Sequence, residues 1–224
     1  MNYVISIINR EGLSRLVKIA ENLGLPLTLE LHGHGTATKS MLDLLGMEFN
    51  EKRVIVTIAD EQKTEELIKE QRRHLYIDAP GNGIVVAVPI KSVGGGRTLA
   101  YLGGDKDKKV TPKIDYRYEL ILAIANEGCT DMVMDAARAA GARGGTVLHG
   151  KGTGAKNAEN FFKVSIASEK EMILIVASSE QKSAIMSSIV KTAGPGTEAG
   201  TIVFSLPVSE VAGFSFMDAE LAAE

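Results

Sequence analysis

Apolar positions along the chain switch between strand-like and helix-like spacing, and they do so twice. Residues 3–8 form a short apolar run typical of a strand, and apolar residues then recur at helical spacing from Leu13 to Leu23. Leu27, Leu29 and Leu31 alternate with polar residues, as in a half-buried strand. The pattern further predicts strands at 54–59, 84–88, 118–125, 172–177 and 202–206, and helices at 61–75, 180–193 and from Thr130, as N-cap, to Gly141.

The second half of the chain repeats the first at an offset of 117 residues. Asn9 matches Asn126 and Gly24 matches Gly141, and one residue further on Val93 matches Val211. These matches keep one order over about ninety residues, so the sequence predicts a duplication. The clearest repeat pairs His32-Gly33-His34-Gly35-Thr36 with His149-Gly150-Lys151-Gly152-Thr153.

The order strand, helix, strand, strand, helix, strand in each copy predicts an α+β fold. It places two helices on one face of a four-stranded antiparallel sheet, the ferredoxin-like βαββαβ arrangement, duplicated in tandem. Several strands are apolar on both faces. The face of the sheet that the helices do not cover must therefore pack against another sheet, so we expect a homo-oligomer. Composition shifts predict a first unit at 1–95, a Gly/Lys/Asp-rich linker at 96–115, a second unit at 116–216 and an acidic tail at 217–224.

Composition narrows the classes of function. The net charge of −3 and the absence of Trp argue against nucleic-acid binding. The single Cys129 cannot form an internal disulfide. No run approaches the roughly 20 apolar residues of a membrane span, and the first residues lack a signal-peptide pattern. We therefore expect a cytoplasmic protein without membrane insertion.

Two glycine-rich segments in each half are the candidate binding elements. After the second strand, Gly150, Gly152 and Gly154 would let backbone amides approach an anion, with Lys151 adding charge. Before the last strand stand residues 80–83 and 194–201. Each segment could equally be a tight bend or a plain connection. Neither a P-loop nor a dinucleotide fingerprint is present in the sequence.

The histidines and the cysteine suggest two alternative functions, a metal-binding protein and an enzyme. His32 and His34 share a strand face and, with His149, could begin a divalent-metal site, although Lys151 replaces the second histidine in the repeat. An enzyme could use His149 as a base, or Cys129 as a thiolate at a helix start. The competing interpretation is solvent-facing histidines and a packing cysteine. We predict no metal site and no catalytic residue.

In its glycine segments and in the positions of its lysines, the sequence resembles the P-II nitrogen-regulatory proteins. The resemblance is closer in the second half of the chain. In that family a Gly-x-Gly follows the second strand, where residues 33–35 and 150–152 stand here. A lysine opening the third strand corresponds to Lys52 and Lys170. The family's Gly-Asp-Gly-Lys-Ile-Phe turn and strand resemble residues 81–85 and 199–203.

The resemblance implies a regulator rather than an enzyme. Members form trimers of βαββαβ units, bind ATP, ADP and sometimes 2-oxoglutarate between units, and report through a mobile loop, here 153–169, to a protein partner. At the positions where the family has basic residues, this sequence has Thr201, Ala212 and Phe214, so the ligand could also be a smaller anion. The implied ligand-binding residues are Gly150, Lys151, Gly152, Thr153, Gly154, Lys170, Gly196, Thr197, Gly200 and Thr201, and in the first half Gly33, Gly35, Thr36, Lys52, Gly81 and Gly83.

Overall fold

The chain divides into two compact units. The computed structural model describes residues 1–25, 28–36, 51–90, 93, 101–102, 114–151, 160–161, 164–165 and 169–214. Within these ranges the first unit contains 1–25, 28–32, 51–90, 93, 101–102, 114–118 and 207–214, and the second contains 33–36, 119–151, 160–161, 164–165 and 169–206. Most of the predicted linker and the whole predicted tail lie outside the described residues.

The strands and helices follow one another in the predicted order. They are β1 (Asn2–Asn9), a 3-10 helix (Arg10–Gly12), α1 (Leu13–Asn22), β2 (Thr28–Gly35), β3 (Glu51–Ala59), α2 (Glu61–Leu75), β4 (Gly83–Pro89), β5 (Asp115–Asn126), α3 (Thr130–Ala139), β6 (Thr146–Lys151), β7 (Asn160–Phe161), β8 (Val164–Ser165), β9 (Glu169–Ser178), α4 (Ser179–Ala193), β10 (Ile202–Val208) and β11 (Glu210–Ala212). The helix predicted at 61–75 is confirmed residue for residue.

The first unit orders its strands β2-β3-β1-β4-β11. Central strand β1 runs antiparallel to both neighbours, with Val4 opposite Thr57 on β3 and Ala87 on β4. Val4 and Ile8 point from one face of β1 into a core shared with the two helices, whose buried members include Leu16, Ile19, Ile55, Leu67, Ile68, Ile77 and Val85. Ile5 and Ile7, on the opposite face, are buried as well.

The second unit orders its strands β10-β5-β9-β6, with residues 33–35 of β2 beside β6. The sequence of strands, second-third-first-fourth, is the same as in the first unit, so the ferredoxin-like fold occurs in both. Its core contains Ile121, Val133, Met134, Ile173, Ile175, Ile185 and Ile189. Within the stretch expected to be a loop, β7 and β8 pair as a two-stranded antiparallel ladder.

Local capping explains where several helices begin and end. The Asp60 carboxylate accepts a hydrogen bond from the Lys63 backbone amide at 2.9 Å, which satisfies one of the first N–H groups of α2. Gly24 and Gly141 follow their helices with φ of +59° and +99°, as the repeat predicted. Among the described residues, no helix is long and apolar enough to cross a bilayer.

Three local predictions were wrong. Leu29, expected on a half-buried face, is 49% exposed. Cys129, rather than Thr130, occupies the N-cap of α3, and the Thr130 hydroxyl instead donates to Glu171. The strand predicted at 202–206 is β10, which runs two residues further, through Pro207 to Val208. Because β10 is an edge strand, a proline there can lack an N–H without losing a partner.

Candidate functional site

In the second unit, an asparagine side chain links a lysine to the turn before the last strand. Lys170 Nζ, near the start of β9, donates to Asn126 Oδ1 at the end of β5, at 2.5 Å. Asn126 Nδ2 in turn donates to the Glu198 carbonyl at 2.8 Å. The amide therefore fixes the position of a cation relative to the turn at 194–201.

The first unit repeats this arrangement. Lys52 Nζ donates to Asn9 Oδ1 at 2.5 Å and to the Gly81 carbonyl at 3.3 Å, and Asn9 Nδ2 donates to the same carbonyl at 3.1 Å. Burial lowers the pKa of Lys52, and the Glu11 carboxylate opposes part of that effect. We call each set, Lys170–Asn126–Glu198 and Lys52–Asn9–Gly81, a lysine–asparagine bridge.

One of the predicted loop glycines lies beside the bridge of the second unit. Gly150 stands directly opposite Lys170 in the β6–β9 ladder. A Cβ built on Gly150 would meet no atom of the described residues within 4 Å, so these residues leave the space above it open. Lys151, next in the chain, forms an ion pair with Glu169 at 3.2 Å. Gly152, Thr153 and Gly154 lie outside the described residues.

The turn before β10 is held closely against the bridge. Gly196 and Gly200 have φ of +93° and +52°, and a Cβ on Gly200 would lie 3.5 Å from Asn126 Nδ2. The Thr197 hydroxyl donates to the Gly194 carbonyl at 2.8 Å. Thr201 is buried and, in the described part of the chain, its hydroxyl has no hydrogen-bond partner. A buried polar atom left unsatisfied is uncommon and requires an explanation.

The corresponding turn of the first unit has a clear structural requirement. Gly81 and Gly83 have φ of +82° and +141°. A Cβ on Gly83 would lie 2.1 Å from the Ile7 carbonyl oxygen, so a side chain is excluded there. Beside this turn a cleft of about 190 Å³ is lined by polar side chains, including Asn9, Asn82 and Arg15.

The described contacts of the first-half loop residues hold β2 to β6. A Cβ on Gly33 would lie 3.1 Å from both Leu148 Cδ2 and the Val147 carbonyl. Gly35 is opposite Thr146. The Thr36 amide donates to the Gly145 carbonyl at 3.0 Å, and the Gly145 amide donates to the Thr36 hydroxyl at 2.8 Å. Packing thus accounts for these residues, and their role in ligand binding stays a prediction.

The histidines are placed in two different environments. In the second unit the rings of His34 and His149 lie edge to face, with centroids 5.8 Å apart. In the first unit the ring of His32 contacts the Arg53 guanidinium, which also pairs with Glu51 at 3.0 Å. No group of three or more potential metal ligands is assembled in the described ranges.

Cys129 and Glu171 both lie at the start of α3. Cys129 is buried, and burial raises the pKa of its thiol, with Glu198 and Glu171 adding to the effect. A reactive thiolate is therefore disfavoured, as the packing interpretation expects. Glu171 accepts hydrogen bonds from the Gly128 amide at 3.1 Å and the Thr130 hydroxyl at 2.7 Å, so it fixes the turn between β5 and α3.

Sequence reasoning missed the two bridging asparagines. Asn9 and Asn126 matched at the repeat offset, but neither was given a role. The available signal was a polar side chain retained at the end of the same strand in both copies. Glu171 carried no such signal, because the aligned residue of the first half is Arg53.

Comparison with known proteins finds a family model and solved structures that are similar to this chain. Residues 118–215 match the family model described as Nitrogen regulatory protein P-II. A solved structure, Arabidopsis thaliana PII bound to citrate, is similar at 24% identity over 42% of this chain and 80% of that chain, with a TM-score of 0.34. No curated protein matches the chain.

Proposed function

We propose that the chain is a P-II-type regulator that binds a small anionic ligand and signals its state to a protein partner, because residues 118–215 match the family model described as Nitrogen regulatory protein P-II. The first half is proposed to be a second, divergent copy of the same unit. No residue is assigned a catalytic role. We further propose that the protein acts in the cytoplasm as a homo-oligomer.

The observation that carries the proposal is the lysine–asparagine bridge of the second unit. It holds an ammonium group opposite Gly150, above which the described residues leave open space, and next to the turn at 194–201. Of the partners in the described residues, Lys170 Nζ donates only to Asn126, so further donors of the three on its ammonium are available to an anion. Lysine is a common ligand for carboxylate and phosphate groups.

The second unit is the better candidate for binding. Lys52 already donates to two acceptors and is partly desolvated, which leaves less of its charge for a ligand. Lys170 has no second acceptor in the described residues. We therefore propose Lys170, Gly150 and the turn at 196–201 as the ligand site, and a mainly structural role for the first unit's bridge.

The ligand is proposed to be ATP, ADP or a smaller polycarboxylate such as 2-oxoglutarate. Thr201, Ala212 and Phe214 carry no charge where the resemblance expects basic residues, and this favours a ligand with fewer phosphates.

Thermal-shift and calorimetric titrations test this proposal with ATP, ADP, 2-oxoglutarate and citrate. A ligand at 100 times its Kd stabilises the native state by about 2.7 kcal/mol, a shift of several degrees in Tm. Lys170→Gln should weaken binding by about tenfold or more, because it removes a charge-assisted contact. Lys69→Gln, at an exposed lysine of α2, is the matched control and should bind as wild type does.

Two results would contradict the proposal in different ways. If none of the anions changes Tm or gives heat, the regulatory function is wrong. If one binds but Lys170→Gln binds it equally tightly, the function stands and the site is wrong.

Transmission to a partner is proposed to involve the segment between β6 and β9, which contains β7 and β8. Deleting residues 153–168 should leave ligand affinity in place and abolish capture of the partner. Native mass spectrometry of the purified protein tests the proposed oligomer. A monomeric mass at micromolar concentration would contradict it.

A further inference from the structure

A second cleft lies between α1 and α2 of the first unit, and its lining includes no member of a lysine–asparagine bridge. Its volume is about 480 Å³, within the range of roughly 300–1,000 Å³ typical of small-molecule sites. Its residues are Arg15, Lys18, Ile19, Asn22, Leu23, Glu70, Arg73, His74 and Tyr76. The proposed function does not use it.

The rim of this cleft is positively charged although the whole chain carries a net charge of −3. Arg15, Lys18 and Arg73 are three permanent cations, and Glu70 is the one carboxylate that lines the cleft. Glu70 is shared, because it pairs with Arg73 at 3.1 Å and with His74 Nε2 at 3.2 Å. Lys18 pairs with no carboxylate among the described residues. The rim therefore has positive charge that its own carboxylate does not balance.

The floor of the cleft is apolar. Ile19 is buried in the core of the first unit, and Leu23 packs against that core. Arg15 Nη1 reaches across to the His74 carbonyl on α2 at 3.5 Å, a long contact that leaves most of its donors unused. An inorganic anion would contact only the rim, whereas an anion with a hydrocarbon tail would also cover the floor.

The second unit shows that the fold alone does not require this cleft. At the repeat offset, Met132 and Asp135 replace Arg15 and Lys18, and Ala136 replaces Ile19. Ser188, at the position of Glu70, donates through its hydroxyl to the Ala136 carbonyl at 2.7 Å and joins α3 directly to α4. The same helix pair in the second unit therefore lacks the cations of Arg15 and Lys18, although Lys191 keeps a cation at the position of Arg73.

We propose that the cleft between α1 and α2 binds a small organic anion with an apolar tail, its charged group on Arg15, Lys18 and Arg73 and its tail on Ile19 and Leu23. The chemistry required is that of a medium-chain carboxylate. Opposite charge and buried apolar area together orient the ligand, since each end has one complementary surface.

Isothermal titration of the full chain with octanoate tests the proposal. Octanoate should bind once per chain, and both inorganic phosphate and 1-octanol should bind at least about tenfold more weakly, because each supplies one of the two parts. The double variant Lys18→Gln/Arg73→Gln should weaken octanoate binding by about tenfold or more. Leu23→Ser should weaken octanoate but not phosphate, and its far-UV circular dichroism verifies that it folds.

Lys191→Gln is the matched control, because Lys191 is the residue of α4 aligned with Arg73. It should leave octanoate binding unchanged. The proposal is overturned if, in the Lys170→Gln background that removes the other proposed anion site, phosphate binds as tightly as octanoate or several octanoate molecules bind per chain. It is also overturned if the double variant and the control have the same affinity for octanoate as wild type.

Discussion

The lysine–asparagine bridge of the first unit predicts a measurable energetic coupling between Asn9 and Lys52. Asn9→Ala removes the oxygen that lies 2.5 Å from Lys52 Nζ and the amide that donates to the Gly81 carbonyl. Lys52→Met removes the charge and keeps the aliphatic stem. A double-mutant cycle built from these two changes isolates the contact between the side chains.

The expected magnitudes follow from the contacts. A charge-assisted hydrogen bond contributes about 1.5–3 kcal/mol and a neutral amide–carbonyl bond about 0.5–1.5 kcal/mol. Asn9→Ala should lower the free energy of unfolding by about 2–4 kcal/mol, since it leaves a partly desolvated ammonium with only the 3.3 Å bond to Gly81. Lys52→Met should cost about 1 kcal/mol or less, because it also removes the desolvation penalty. The coupling energy is expected to be about 1.5–3 kcal/mol.

Urea denaturation followed by circular dichroism measures each free energy of unfolding, with the m value checked in every variant. A control cycle pairs Asn9→Ala with Lys69→Met, at an exposed lysine of α2, and should be additive within about 0.5 kcal/mol. If Asn9 and Lys52 are equally additive, the bridge does not stabilise the unit and our reasoning is refuted.

Three further predictions concern particular residues. Gly83→Ala should lower the free energy of unfolding by about 3 kcal/mol or more, because its Cβ would lie 2.1 Å from the Ile7 carbonyl, whereas Gly150→Ala should change it by less than about 0.5 kcal/mol; urea titrations measure both. As the pH approaches 10.5 from below, the free energy of unfolding of the wild type should rise relative to that of Lys52→Met. In this window the folded chain has released the Lys52 proton that the unfolded chain still holds, so the contribution of Lys52 to stability increases with pH. Gln71→Leu should raise the free energy of unfolding by about 1–2 kcal/mol, since both amide atoms are buried without a partner in the described residues.

Each of these three has an opposite outcome that would count against it. Equal stabilities of the two glycine variants would mean that β1 and the turn do not approach as closely as described. Identical pH profiles for wild type and Lys52→Met would mean that Lys52 titrates alike in the folded and unfolded chain. A destabilised Gln71→Leu would indicate that the amide has a hydrogen-bond partner.

Elements governed by neighbours in sequence were predictable. The bounds of α2 follow from its N-cap Asp60 and its apolar spacing, and both lie within the consecutive residues 60–75. The four-stranded antiparallel sheet of each unit followed from the element order, because few topologies accommodate it. The burial of Leu29 was wrongly predicted, because alternating apolar residues indicate only which side chains share a face of the strand. They do not show whether another element packs against that face.

Features governed by distant residues were not predictable. The bridge joins Asn126 to Lys170, 44 positions away in the sequence, and to a carbonyl 72 positions away. The grouping of residues 207–214 with the first unit depends on contacts such as Ser209 with Ala87, which are 122 positions apart. Composition and local periodicity carry no information about such pairings.

The pairing of β11 with β4 has a consequence for how the chain is synthesised. Ser209 bonds Ala87 through both its amide and its hydroxyl, and Gly213 bonds Asp78, so residues 209–213 cover the outer edge of β4. The ribosome produces β4 more than a hundred residues before these partners emerge. Throughout that interval the nascent first unit presents a strand edge with unpaired N–H and carbonyl groups, which is a site for aggregation or for chaperone binding. Chains released before residue 207 should retain that edge permanently.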